Sequence, residues 1–277
     1  MSSSIFARPI LAFTFLLPWP ALAGLLVTDI SGLAEVDGRG RVLLMAELPD
    51  GTALNVAPSA RVVAIDLGSG REYVLTAGRY AVEKSGPSEV GGKPVASSTL
   101  PAGKLPAVKI ATGKVAQATL VMRSARKPLA GVSPNQTAVS TTRPTLRWPD
   151  NPDATAYRVT LNEVGGRKVL DSTMPPKSSV VLSASEGLQA GGRYAWRVEA
   201  VREGRTLAEH RGEFSVLGAT DIYRLGQFRP GEGAEFSRRT LYAALLMEAG
   251  ATEEARSIWQ ALRAERPDDP ALAKLAE

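Results

Sequence analysis

Between Leu188 and Val201 the sequence reads LQAGGRYAWRVEAV, and Tyr194, Trp196, Val198 and Ala200 alternate with Arg193, Ala195, Arg197 and Glu199. A side-chain period of two sends every second residue to the same face, so the bulky set demands a core and the charged set demands solvent. A helix cannot satisfy that pattern. The neighbouring runs obey the same rule: Leu146-x-Trp148, then Tyr157, Val159 and Leu161, then Val169-Leu170, Val180 to Leu182, and Phe214 to Leu217. With a first edge strand inside Pro128 to Thr142, this makes seven short strands in about 85 residues, the count of a two-sheet sandwich.

Those residues resemble a fibronectin type III domain over nearly the whole segment. Trp148 matches the B-strand tryptophan, Tyr157 to Val159 the C-strand Tyr-x-Val, and Leu188, Gly191 and Tyr194 the tyrosine corner L-x-x-G-x-x-Y. The resemblance implies that Trp148 and Trp196 are core side chains and that the Tyr194 phenol bonds back to upstream backbone. It also implies a spacer or binding module without chemistry of its own. The sandwich is expected over 143–217, preceded by a linker and first edge strand over 124–142. His210, between Glu209 and Arg211, is expected to be exposed just before the last strand.

Upstream, residues 24–123 read as a separate β-domain. Leu25 to Thr28, Ala34 to Val36, Val42 to Leu48, Leu54 with Val56, Val62 to Leu67, Tyr73 to Thr76 and Tyr80 to Val82 are strand-like. Asp37-Gly38-Arg39-Gly40, Pro49-Asp50-Gly51 and Gly68-Ser69-Gly70 separate them as turns, where proline pre-sets φ and glycine accepts positive φ. Leu48 to Val82 resembles the extracytoplasmic domain of the FecR (ferric citrate regulator) family, on Gly51, Leu54, Val56, Ser59 to Val62, and Gly68 to Gly70. That resemblance implies a β-domain used for recognition. The cytoplasmic head and membrane span of the true regulator have no match, so anti-sigma activity does not carry over.

Residues 1–23 have the layout of a secretory signal. Arg8 precedes the apolar run Ile10 to Leu17, and Ala21-Leu22-Ala23 offers small residues for cleavage before Gly24. The run is shorter than the roughly 20 residues of a membrane span. The chain is therefore expected in the periplasm or outside the cell, with no transmembrane segment after cleavage near Ala23. Within the first domain, residues 84–106 read as a Gly/Pro-rich loop. Lys84, Lys93, Lys104, Lys109, Lys114, Arg123, Arg126 and Lys127 face only Glu89, a local +7 that exceeds the +5 of the whole chain. Such a segment suits an anionic partner, either cell-wall polymer or anionic membrane surface. A nucleic acid does not suit it, because no aromatic side chain is there to stack on a base.

After a linker over 218–236, the period changes to 3.6 and residues 237–277 read as helices. Ser237 is a candidate cap for a helix carrying Leu241 and Leu245, and Gly250 a candidate C′ residue. Thr252 is a candidate cap for a second helix, with Ala255, Ile258, Trp259 and Leu262 on one face, and after Pro270 a final short amphipathic helix is expected over Ala271 to Ala276. Counting back from Pro267, residues Ala243, Gly250, Ala255 and Trp259 resemble one tetratricopeptide repeat. A single repeat cannot bury its own apolar face. The hairpin must pack on the neighbouring sandwich or dock with repeats of another chain.

The sequence holds no cysteine and one histidine, which removes thiol chemistry and weakens most hydrolase and metal-site readings. Glu72, Glu83 and Glu89 are the carboxylates nearest to a glycosidase pair, and all three are expected in turns or on solvent faces. The fold class expected is mainly β, with a FecR-like domain, a fibronectin-like sandwich and an antiparallel helical hairpin. The function expected is a non-enzymatic interaction or scaffold protein with another envelope protein as partner. No catalytic residue, cofactor or metal is assigned. Trp148, Tyr157, Leu188, Tyr194, Trp196 and Trp259 are assigned structural roles.

Overall fold

The computed structural model describes residues 24–90, 93–100 and 131–277, with only the backbone given for Lys93 and Pro94. Residues 1–23, expected as a signal segment, and Lys104, Lys109, Lys114, Arg123, Arg126 and Lys127 lie outside the described residues. The fold is mainly β with helices at the C-terminal end, as the sequence led one to expect.

The first domain contains β1 (Gly24–Ser31), β2 (Ala34–Val36), β3 (Gly40–Arg41), β4 (Glu47–Pro49), β5 (Ala53–Val56) and β6 (Arg61–Asp66). It continues with β7 (Arg71–Leu75), β8 (Gly78–Glu83), β9 (Gly86–Glu89), β10 (Lys93–Pro94) and β11 (Ser97–Thr99). Two sheets form, β11-β7-β6-β1-β4 and β10-β9-β8-β5-β2-β3. Between them pack Leu25, Val27, Leu54, Val56, Val62, Ala64, Tyr73, Leu75 and Tyr80. Five consecutive residues of β1 and four of β6 are buried. A strand buried that continuously has both faces covered, and the second face here carries Leu26, Thr28, Val63 and Ile65.

Two expectations for this domain change. Val42 to Leu48 is not one strand, because Met45 takes a left-handed φ of 66° and turns the chain back onto β1; its amide donates to the Val27 carbonyl at 2.8 Å. The loop expected over 84–106 contains β9, β10 and β11 among its described residues. Backbone pairing needs no apolar side chain, so a Gly/Pro/Ser composition concealed it. Gly86 is required there: it has φ 112°, and a Cβ would collide with the Tyr73 hydroxyl.

The second domain contains β12 (Thr137–Val139), β13 (Thr145–Arg147), β14 (Ala156–Glu163), β15 (Lys168–Met174), β16 (Ser179–Val181), β17 (Arg193–Arg202) and β18 (Arg205–Val216). A five-stranded sheet in the order β12-β18-β17-β14-β15 faces the pair β13-β16. This is a fibronectin type III-like arrangement, with the first strand joining the last in parallel. The tyrosine corner is present: the Gln189 amide donates to the Tyr194 hydroxyl at 2.8 Å. The last strand is longer than Phe214 to Leu217. It begins at Arg205, and its charged residues Glu209, Arg211 and Glu213 had masked the alternation of Ala208, Gly212 and Phe214.

Four helices follow: α1 (Ala219–Phe228), α2 (Phe236–Glu248), α3 (Thr252–Glu265) and α4 (Pro270–Leu275). The expected linker over 218–236 therefore holds α1, with Leu225 buried and Ile222 and Phe228 partly so. Ser237 does not cap α2; it lies in the first turn, buried, and its hydroxyl donates to Glu72. Thr252 is the first residue of α3 and does not cap it. Gly250, at φ 85°, ends α2 as expected. The Ala251 amide reaches the Leu246 carbonyl and the Gly250 amide the Met247 carbonyl, which satisfies the last turn.

The helices pack in cis, and on both β-domains. One apolar cluster joins Leu44, Ile65 and Leu100 of the first domain, Ala138 and Leu217 of the sandwich, and the interior of α1 to α4. Helix α2 lies on the outer face of the β11-β7-β6-β1-β4 sheet and is buried without interruption from Thr240 to Leu246, as a helix with cover on all sides must be. Trp259, 1% exposed, sits in that cluster. Trp259→Ala is expected to cost about 3–5 kcal/mol of unfolding free energy. Calorimetry should show one transition for the intact chain, and two independent transitions would mean that the β-domains unfold separately.

Candidate interaction surfaces

Two joints hold the helices to the β-domains, and both are polar at their rims. On the first domain, the buried carboxylates Asp29 and Glu72 point into the joint. Arg266 donates to Asp29 at 2.7 Å and to the Ile30 carbonyl at 3.2 Å, while its guanidinium lies 3.6 Å from the centroid of the Phe236 ring. Glu72 accepts from Arg238 at 3.1 Å, Ser237 at 3.3 Å and Ser98 at 3.4 Å. Glu72 was expected on a solvent face. Its position on the outward side of β7 is correct for solvent, but α2 covers that side.

On the sandwich, the first turn of α3 grips the edge strand β12. Glu253 accepts from the Ser133 hydroxyl at 2.7 Å and the Asn135 amide at 3.1 Å, and Glu254 accepts from the Ser140 amide at 2.8 Å. The Ala138 amide donates to the Gly250 carbonyl at 2.9 Å. Acidic residues suit the positive end of a helix, and here they also satisfy the unpaired side of a sheet edge.

A shallow cavity opens at each joint. One, of about 300 Å³, is lined by Ser133, Thr137, Arg147, Glu253 and Glu254. The other, of about 360 Å³, lies between Arg41 to Leu44 and the turn from Glu265 to Pro270. Glu253 and Glu254 bond to Ser133, Asn135 and Ser140 on either side of β12, Glu265 pairs with Arg239, Asp269 accepts from the amides that open α4, and Asp268 also lines the second cavity. Among the described residues no three His, Asp or Glu side chains are grouped to hold a metal ion.

The residues assigned from sequence do not converge on one site. Lys84 is exposed in the turn between β8 and β9, and Lys93 pairs through its backbone with Glu89 in β9; the other six basic residues lie outside the described residues. Trp148, Tyr157, Leu188, Tyr194 and Trp196 are all buried in the sandwich core. The Trp148 and Tyr157 rings meet at 5.4 Å between centroids. What sequence reasoning missed is the joint. Helix α1 had a signal, since Ile222, Leu225 and Phe228 recur at helical spacing. Asp29, Glu72 and Arg266 had none, being 43 or more positions apart.

His210 is not exposed before a strand but lies within β18, opposite Val198 and beside the Trp196 ring at 6.2 Å. Its Nε2 is buried without a hydrogen-bond partner among the described residues, and burial lowers its pKa below the ordinary 6.5. The outward face of the same sheet carries a charge network. Glu199 is directly opposite Glu209, a repulsive arrangement relieved by Arg197, which donates to them at 2.7 Å and 2.6 Å.

No protein-family model matches the chain, and no curated protein does. Solved structures do. A Fn3-like protein from Clostridium thermocellum matches at 19% identity and a TM-score of 0.24, covering 32% of this chain and 95% of that one. The FN1-FN3 domains of chicken CNTN1 match at 11% identity and 0.27, covering 71% and 57%. A beta-1,2-glucanase from Parabacteroides distasonis matches at 10% and 0.27, covering 88% and 49%. Scores this low decide neither fold nor function, and the assignment of the sandwich rests on its strand order and tyrosine corner.

Two measurements check these environments. The unfolded histidine binds a proton more readily than the folded one, so His210 is expected to leave stability intact above about pH 6.5 and erode it as pH falls below that value. His210→Gln should flatten the stability profile between about pH 5 and 7, above the range where carboxylates titrate. Arg197→Met is expected to cost about 1–3 kcal/mol, because Glu199 and Glu209 stand opposite each other and lose the guanidinium they share while Glu199 keeps Arg158 at 3.8 Å, with much of it recovered in the double variant Arg197→Met, Glu209→Gln.

Proposed function

We propose that this chain is a non-enzymatic extracytoplasmic interaction or scaffold protein, the partner of another envelope component. The observation that supports this best is the joint: the helical unit uses its apolar face to fasten two β-domains to each other. An arrangement of that kind fixes the relative position of surfaces, which is what a scaffold requires. The two joint cavities are shallow, and in the one at the sandwich the acids Glu253 and Glu254 are engaged in holding α3 to the sandwich. Among the described residues, no helix is long and apolar enough to cross a membrane. The FecR-like and tetratricopeptide-like patterns of the sequence belong to the same reading, as recognition and assembly modules. Export after cleavage near Ala23 belongs to it as well.

A second reading draws on the +7 charge of residues 84–127, which suits binding to wall polymer or anionic lipid. Cross-linking of the chain in its native envelope, followed by mass spectrometry, should return a small and reproducible set of protein partners. An absence of partners above background, together with sedimentation on wall material or anionic vesicles that weakens as salt rises, would overturn the first reading in favour of the second.

A further inference from the structure

A β-sheet edge exposes a row of unpaired amides and carbonyls, and folded chains usually blunt it with short strands, proline, inward charge or a covering element. Charged side chains and bulges serve the same end, and among the described residues every edge but one is also short or covered. Strands β3, β4, β10, β11, β12, β13 and β16 are each two or three residues long, and β12 is also covered by α3. Strand β15 borders the main sheet of the sandwich opposite β12 and runs for seven residues, Lys168–Met174. It contains no proline. Its two charged residues, Lys168 and Asp171, pair with each other at 2.7 Å and leave the core-facing side apolar or neutral.

The register with β14 identifies the faces of β15. Met174, Ser172 and Leu170 lie opposite Tyr157, Val159 and Leu161, all core residues. Asp171 and Thr173 lie opposite Thr160 and Arg158 on the outward face. A bulge separates Leu170 from Lys168 in the pairing, and Pro175-Pro176 follows Met174, so the regular open edge is Leu170 to Met174. Met174 and Val180 are only partly covered where β15 and β16 flank the open side of the sandwich.

We propose that β15 is where two copies of this chain join, antiparallel, about a two-fold axis through Ser172. The proposal rests on the interaction-protein reading above and specifies one partner for it. A two-fold contact places the same strand against itself, and keeping the core faces together allows few registers. An axis at Asp171 would set two carboxylates against each other. An axis at Leu170 would run into the bulge and place Lys168 opposite the core-facing Ser172. An axis at Ser172 sets Leu170 opposite Met174 twice and Asp171 opposite Thr173 twice, with no like charges opposed. The two five-stranded sheets then form one sheet of ten strands, and each Met174 gains a Leu170 beside it.

The chain has no cysteine, so a single introduced thiol reports this geometry on the purified full chain. Under mild oxidation, Ser172→Cys should form a disulfide-linked dimer about tenfold or more faster than Asp171→Cys, because directly opposed Cβ atoms lie about 4.5–5.5 Å apart and diagonal ones about 7–8 Å. Sedimentation equilibrium should show a dimer that Ser172→Lys converts to monomer with an unchanged circular dichroism spectrum. A chain that stays monomeric at every concentration reached, equal rates for the two cysteine variants, or a dimer that survives Ser172→Lys would each overturn the proposal. A monomer that still returns protein partners on envelope cross-linking would overturn it while leaving the interaction-protein reading in place.

Discussion

The architecture depends on the burial of α2. This helix has the first β-domain on one side and α1 and α3 on the others, and the α2–α3 turn reaches the edge of the sandwich. Burial on that scale is favourable because it removes the outward face of β1 and β6 from water. It also places Asp29 and Glu72 under a helix, where an unpaired carboxylate would be costly. Arg266, Arg238 and Ser237 meet them. The apolar contact and the ion pairs are thus one device: the first supplies the attraction, and the second removes a penalty and fixes the position at which the helix can rest.

The sandwich joint solves a different problem with similar chemistry. Strand β12 has β18 on one side and nothing from its own sheet on the other. The Gly250 carbonyl takes the Ala138 amide on that other side, and Glu253 and Glu254 hold the residues that flank the strand, so an aggregation-prone edge becomes an anchor. Among the described residues nothing comparable covers β15, the border strand at the far end of the same sheet. The two edges therefore differ in what they leave available to another molecule, and the difference follows from where the helices fall.

This arrangement bears on the kinds of activity the molecule can support. Among the described residues the cavities at the two joints are shallow, and what the sheets present beside them are faces and edges. His210 lies beside Trp196 within the sandwich, and Arg197 draws together Glu199 and Glu209 across the outward face of the same sheet.

The period-2 pattern of Tyr194 to Ala200 was enough to require a sheet with one covered face, and the L-x-x-G-x-x-Y spacing was enough to place a hydroxyl over the Gln189 amide. Leu241, Leu245, Ala255 and Trp259 likewise declared a helical hairpin with an apolar face. These features are legible because each is a local relation among residues a few positions apart. The strands hidden in residues 86–99, the length of β18 and the helix in the expected linker were less legible, because backbone pairing and tertiary cover overrode composition. The position of Glu72 shows the limit most clearly. Its alternation with Tyr73 sends it outward, which in a lone domain means solvent, yet α2 arrives from more than 160 residues downstream and buries it. Sequence determined which face each residue takes on its own strand or helix. Only the tertiary structure decided what stands against that face, because contact between distant segments depends on how whole units pack and not on any short-range pattern.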